Sequence, residues 1–370
     1  MGGRCRRNLL NMPLTITQSA SKVKTALGCS WKYYSSYILH IPSRGNTGSR
    51  LGGNSHVILE CLAVDKRKAL VKKILKAKDI FASPSIRHLT YKLARKNDTD
   101  TPENIQKVKD FVLNGLSYDF YGTLRGKPVA SYTEKDFLFE ELERYKIRGF
   151  IDRLFIYKDG HALIRDYKTS KETYRGGDIS DPLQANFYAK AVRKLSDAGK
   201  ILPVKTISCE FLFLKFDCSL ESEWAIGEYQ GRATKKQYHN GGGLITVNFT
   251  EEEIEGFDYE LEDYQQYLES FDEKTAKQNF AADQGMPTDD SFSGKLLCGF
   301  ASFPGQLKKD GALMFGCESK FPFPYYYIEK DNQWVASCFI DEREKFLTKY
   351  PIDVYSWREM EYLGCPKFNK

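Results

Sequence analysis

Two short stretches of this 370-residue chain set acids and a lysine at strand spacing. The first is Gly149-Phe150-Ile151-Asp152-Arg153 and the second is Ile164-Arg165-Asp166-Tyr167-Lys168. Between them Asp159-Gly160 is a strong hairpin-turn signal. Alternate residues of a strand share a face, so Asp166 and Lys168 point the same way. Asp152 falls on the neighbouring strand, where pairing can bring its carboxylate close to that of Asp166. Two carboxylates converging at a sheet end suit a hard divalent cation such as magnesium. Held that near without a cation, the two charges would repel. Such an ion polarises a phosphate and lowers the pKa of a bound water, and an ammonium beside it offsets charge that develops in the transition state. Asp152, Asp166 and Lys168 are therefore candidates for phosphodiester hydrolysis. An exposed hairpin with a surface Asp–Lys pair has the same spacing, and D-x-K alone does not separate the two.

The elements that must position these residues are legible from periodicity and turn chemistry. A helix is predicted over Ser19 to Leu39, then a Gly-, Ser- and Asn-rich loop from Ile41 to Gly53. A second helix is predicted from about Asn54 to Lys78, and Pro84 to Gly126 reads as mainly helical with a break at Asn97 to Pro102. Strands are predicted over Lys135 to Leu142, Arg144 to Tyr157, His161 to Lys168, Ile207 to Phe216, Trp224 to Glu228 and Leu244 to Phe249. A polar loop, Ser170 to Ser180, precedes a helix from Pro182 to Ala198, with Ser180 or Asp181 as its cap. Thr250 and Glu253 form a capping-box signature that opens a helix to about Phe271. From Lys274 to Lys370 short aromatic runs alternate with Gly and Pro turns. That order indicates an α/β fold: a mixed central sheet flanked by helices, with a helical N-terminal portion.

The strings GFIDR and IRDYKTS, followed by Gln184-Ala185-Asn186-Phe187-Tyr188, resemble the RecB-type branch of the PD-(D/E)XK nuclease superfamily. Gly52-Gly53-Asn54-Ser55-His56-Val57-Ile58-Leu59-Glu60 is similar to that family's G-x-x-x-H-x-x-L-E helix, and Ser19 to Tyr33, with Cys29 and Trp31, resembles its opening segment. The resemblance spans Ser19 to Tyr188, with weaker echoes to about Phe303. It implies a restriction-endonuclease-like core and a metal site of His56, Asp152, Asp166 and the backbone carbonyl of Tyr167. Lys168 is then the catalytic lysine. Gln184 and Tyr188, one helical turn apart, would hold the site or contact DNA, with Glu60 and Arg153 in supporting or DNA-binding places. The implied cofactor is magnesium or manganese, the implied partner DNA, and the implied reaction exonucleolytic cleavage in recombination, repair or replication, in a bacterial or phage-infected cytoplasm. A site- or structure-specific endonuclease on the same fold is the first alternative. A DNA-binding or assembly protein with a decayed nuclease core is the second.

Many relatives hold an iron–sulfur cluster through one cysteine near the position of Cys29 and three near the C-terminus, two of them as CxxC. Here Cys298 is followed by Gly299-Phe300-Ala301, and Cys317, Cys338 and Cys365 have other spacings. A cluster takes four thiolates, so Cys29, Cys298 and Cys317 are weak candidates and the expectation is against a cluster. The nine cysteines follow no disulfide framework. No apolar stretch approaches a membrane-spanning length, and no membrane partner is expected. There is no G-x-x-x-x-G-K-[ST] loop, so any unwinding falls to a helicase or recombination partner or is unnecessary. Net charge is +6. No acid precedes Glu60, whereas Arg4, Arg6, Arg7, Lys22, Lys24, Lys32, Arg44 and Arg50 do, a bias that suits a polyanion. The expected organisation is a basic tail over 1–18 and a nuclease domain over 19–300. That domain holds a helical insertion at about 62–130 and a catalytic core at about 131–272. A C-terminal extension over 301–370 packs on the core.

Overall fold

The computed structural model describes residues 14–141, 144–170, 183–228, 235–281, 283 and 317–368. Most of the expected basic tail, the cap at Ser180 or Asp181 and Cys298 lie outside these residues. From the N-terminus come α1 (Ala20–Gly28), α2 (Ser30–Tyr33) and a π turn, Tyr34–Ile38. Next are α3 (Thr47–Leu62), α4 (Lys68–Ala77), α5 (Pro84–Lys96) and α6 (Pro102–Ser117). Strands β1 (Ala130–Glu141), β2 (Tyr145–Ile156) and β3 (His161–Lys168) lead to α7 (Leu183–Asp197). Then follow β4 (Thr206–Phe213), β5 (Asp217–Glu221), β6 (Trp224–Glu228), β7 (Lys235–His239), β8 (Gly242–Phe249) and α8 (Glu251–Glu269). After α9 (Glu273–Ala276) come β9 (Phe323–Lys330), β10 (Gln333–Phe339) and β11 (Ser356–Tyr362).

The chain divides into two compact units, one of Gly45–Glu262 with the residues up to Ser19, the other of Ala20–Arg44 with Asp263–Lys370. The first contains a six-stranded mixed sheet in the order β1-β2-β3-β4-β8-β5. Its first three strands are antiparallel neighbours, while β3 and β4 are parallel and joined through α7, as a parallel pair requires. One face is covered by α3, α4 and α6, whose Leu59, Leu62, Val112 and Leu116 pack on Tyr167, Leu212 and Leu214. Burying each such large side chain contributes about 1.5–3 kcal/mol. On the other face α7 and α8 meet through Phe187 and Phe257, rings 5.5 Å apart.

Local chemistry explains the helix ends. Ser83 and Thr101 cap α5 and α6, each with proline in the first turn. At α8 the capping box forms: Glu253 Oε2 accepts from the Thr250 amide at 2.8 Å, and Thr250 Oγ1 accepts from the Glu253 amide at 3.2 Å. Two expectations are corrected. The loop from Ile41 ends at Asn46, whose side chain caps α3 by accepting from Ser49 N at 2.7 Å. The helix therefore starts seven residues before Asn54 and includes the Gly52-Gly53 pair. It also breaks after Leu62, so that α3 and α4 are separate helices.

The second unit holds the three-stranded sheet β10-β9-β11. Its core gathers Trp31, Ile41, Tyr325, Tyr362 and Cys365, and Trp31 Nε1 donates to the Tyr362 hydroxyl at 2.6 Å. Cys29 breaks the helix predicted over Ser19 to Leu39 into α1 and α2, with an extended backbone (φ −164°). Among the described residues no helix is long and apolar enough to cross a membrane.

Candidate active site

The β2–β3 hairpin supplies the frame. Asp159 Oδ1 accepts from His161 N at 3.0 Å and Gly160 takes φ +86°, which closes the turn and fixes Arg153 opposite Arg165. One step further, Asp152 lies beside Asp166. There the ladder gives way: Asp152 Oδ2 accepts from the Tyr167 amide at 2.8 Å, a backbone donor satisfied by a side chain. The carboxylate is thus held at the strand end, 9% exposed.

Helix α3 presents His56 to the same point. Its Nε2 lies 2.9 Å from the Tyr167 carbonyl oxygen and its Nδ1 3.3 Å from Asp152 Oδ2. Gly52, four residues earlier, permits this approach, because a Cβ there would stand 2.6 Å from Thr169 Oγ1. Asp166 is 2% exposed. Its Oδ2 faces Lys168 Nζ at 2.7 Å, and its Oδ1 accepts from the Tyr188 hydroxyl at 2.9 Å and from Gln184 Nε2 at 3.1 Å. Lys168 Nζ also donates to Gln184 Oε1 at 2.6 Å. Gln184 and Tyr188, on one face of α7, therefore clamp the acid and the lysine together. Tyr188 is 6% exposed and packs behind Asp166.

Glu134 of β1 joins this group and no motif announced it. Thr133 stands opposite Arg153 and Lys135 opposite Ile151, so Glu134 faces Asp152 across the strands. Its backbone is left-handed, φ +47°, a conformation that costs a non-glycine residue about 1–2 kcal/mol and that concentrates at functional sites. Ligand atoms of His56, Glu134 and Asp152 all lie within 4.8 Å of one another. The register would have revealed Glu134, but the strand predicted from Lys135 began one residue too late.

Electrostatics mark the cluster as anionic. Burial alone would lower the His56 imidazole, but the hydrogen bond and charge of Asp152, with Asp166 and Glu134 behind it, carry it up to about 9. Burial, then the charges of Asp152 and Glu60, push Glu134 up to about 7. Burial raises Asp166 as well, against the opposing pull of Lys168. A divalent cation would offset the carboxylate charges that contribute to these shifts. The donor set suits one, since carboxylate, carbonyl and imidazole groups converge within 4.8 Å or a hydrogen-bond distance of one another. His56, Glu134 and Asp152, with the Tyr167 carbonyl beside His56, could hold such an ion, and Asp166 on the adjoining strand is engaged by Lys168, Tyr188 and Gln184.

Two further candidates fall outside the cluster's interior. Glu60 is exposed, one turn beyond His56, and its charge reaches Glu134. Arg153 is 2% exposed and points to the opposite face from Asp152, where its guanidinium lies over Phe155 and Phe120 at 4.8 and 5.0 Å.

In the second unit Cys29, Cys317 and Cys365 line one narrow cavity with Trp31, Phe280 and Lys320. Burial raises the Cys317 thiol. Cys338 packs elsewhere, against Ile328 and Ala336. Cys298, the other candidate, lies outside the described residues.

No curated protein matches the chain. A sequence profile of the PD-(D/E)XK nuclease superfamily matches residues 17–300. That match takes in every member of the cluster, from His56 through Glu134 and the β2–β3 acids to Tyr188, and the chain belongs to the PD-(D/E)XK nuclease superfamily.

Proposed function

We propose that this nuclease is a RecB-like exonuclease that hydrolyses DNA phosphodiester bonds with magnesium or manganese. The observation that carries the reading is the convergence of His56, Glu134 and Asp152, with Asp166 on the adjoining strand paired to Lys168. His56, Asp152, Asp166 and the Tyr167 carbonyl would hold the ion, with Glu134 facing it from β1. When bound, such an ion would polarise the scissile phosphate and lower the pKa of a water. Lys168 is the group placed to act on the reacting atoms. Its ammonium, kept in place by Asp166 and Gln184, orients the attacking water and offsets charge gathering on the phosphoryl oxygens. Water adds to phosphorus and gives up a proton to solvent, the bond to the bridging oxygen breaks, and that oxygen leaves with a proton drawn from solvent. Asp152 takes two tasks, since one oxygen fixes the Tyr167 amide and so aims the neighbouring carbonyl at the same point. Tyr188 and Gln184 act through Asp166 as positioning residues. By resemblance the activity serves recombination, repair or replication inside a bacterial or phage-infected cell.

The test uses labelled linear DNA and closed-circular plasmid, with and without magnesium, beside Lys168→Ala. Linear DNA should be degraded from its ends only with the metal, the circle should persist, and Lys168→Ala should be slowed by about 10²–10³. Nicking of the circle would assign an endonuclease instead. Metal-independent cleavage, or full activity in the lysine variant, overturns the reading.

A further inference from the structure

Helices α4 and α5 carry a charge imbalance that the catalytic cluster does not use. Lys68, Lys72, Lys73 and Lys76 in α4, with Arg87, Lys92, Arg95 and Lys96 in α5, face no acid within either helix. On α5 the imbalance has a shape. Arg87, Tyr91 and Arg95 are spaced four apart, so they form one stripe with successive side chains about 6 Å along the axis. All three are exposed, and with Pro84 and His88 they line an open groove of about 290 Å³. Among the described residues no carboxylate pairs with Arg87 or Arg95. Tyr91 is braced from below by Phe81, ring centroids 5.7 Å apart, so its outer face is a fixed platform. The C-terminal end of α5 is tied to the helix that carries His56. Asn97, its C-cap, donates to Asn54 Oδ1, and Asn54 Nδ2 donates to Thr99 Oγ1 at 3.1 Å. Asn54 is 1% exposed and precedes His56 by two residues on α3.

We infer that the α5 stripe is a track for the single-stranded part of the DNA substrate, with phosphates on Arg87 and Arg95 and a base stacked on Tyr91. This rests on the reading of the chain as a DNA nuclease and adds the strand form it grips. Two cations flanking an aromatic face are what an unpaired strand offers partners for: a backbone charge on either side of an exposed base. A duplex keeps its bases stacked inside and presents only phosphates, so Tyr91 would find no partner there. The tie through Asn54 fixes the track's orientation to the helix that sets the active-site histidine.

The experiment measures binding of a labelled oligo-dT of about 20 nucleotides in the Lys168→Ala background, where cleavage cannot distort the result. A blunt duplex of equal length is the second probe. Arg87→Gln with Arg95→Gln should weaken single-strand binding and flatten its salt dependence by about 1.4 in log–log slope, about 0.7 for each cation removed. Tyr91→Leu should weaken it about ten-fold with the slope unchanged, and Tyr91→Phe should restore it. Duplex binding should not respond to the tyrosine change. Exposed positions leave the thermal transition in place, which a melt verifies for each variant. Unchanged single-strand affinity and slope, or equal losses on duplex, overturn the track. Failure of the wild type to cleave any DNA while these binding losses appear would remove the nuclease reading and leave the track standing.

Discussion

The β2–β3 hairpin buries charge on both of its faces, and the two faces do it in opposite ways. Asp152 and Asp166 point to one side, Arg153 and Arg165 to the other, though the four are sequence neighbours in pairs. On the arginine side the account balances. Arg165, fully buried, donates to Glu210 through Nε at 2.9 Å and Nη2 at 2.6 Å, and lies 3.5 Å from Asp119. Arg153 rests against Phe155 and Phe120. Both acids meet Arg165, while Arg153 is covered by the two rings. On the aspartate side three carboxylates, with Glu60 adding its field, outnumber Lys168 and His56. The difference teaches that burial of charge does not itself mark a site. An unbalanced sign does, and the missing counter-charge is the cation.

Breaking that contrast on the structural side should give the largest effect. Arg165→Ala leaves Glu210 and Asp119 buried without their cation, and should cost about 3–5 kcal/mol. A calorimetric scan should show the melting temperature falling by roughly 10 °C with little change in the activity of the molecules still folded. On the catalytic side Lys168→Ala should do the reverse: Lys168 is partly exposed, so the melt should move less than in Arg165→Ala, while kcat falls by about 10²–10³, or about 3–4 kcal/mol. A collapse of stability in Lys168→Ala would erase the distinction between the two faces. Tyr188→Phe sharpens it further. Loss of the hydroxyl on Asp166 should weaken magnesium affinity by about ten-fold, measured by titrating activity against the metal, and saturating metal should restore most of the rate. The smallest effect is at Glu134. Its left-handed backbone makes glycine the relaxed residue there, so Glu134→Gly should be about 1 kcal/mol more stable than Glu134→Ala. Both variants should lose activity equally; equal denaturation midpoints would remove strain from the description of the site.

Much of this contrast was readable in the chain, and for specific reasons. The Asp-Gly turn fixes the hairpin, and strand alternation then separates Asp152 and Asp166 from Arg153 and Arg165. His161 to Lys168 is the observed extent of β3, and the Thr250–Glu253 box marks the start of α8. Glu134 was hidden because its role depends on a register between β1 and β2, not on a motif of its own. The start of α3 was hidden because Gly52 and Gly53 argue for a loop until the close approach of Thr169 supplies a reason for a helical glycine. The grouping of Ala20–Arg44 with the C-terminal third is a long-range choice that local pattern does not carry.

That clearance at Gly52 sets how deep a histidine can reach. Four residues apart on a helix, Gly52 and His56 share a face, so the gap at one is the depth gauge for the other. A single methyl group, Gly52→Ala, would oblige either the Thr169 hydroxyl to rotate or the helix to back away, and in the second case His56 withdraws with it. The separation of histidine from carboxylates is thereby written into an atom that the protein does without.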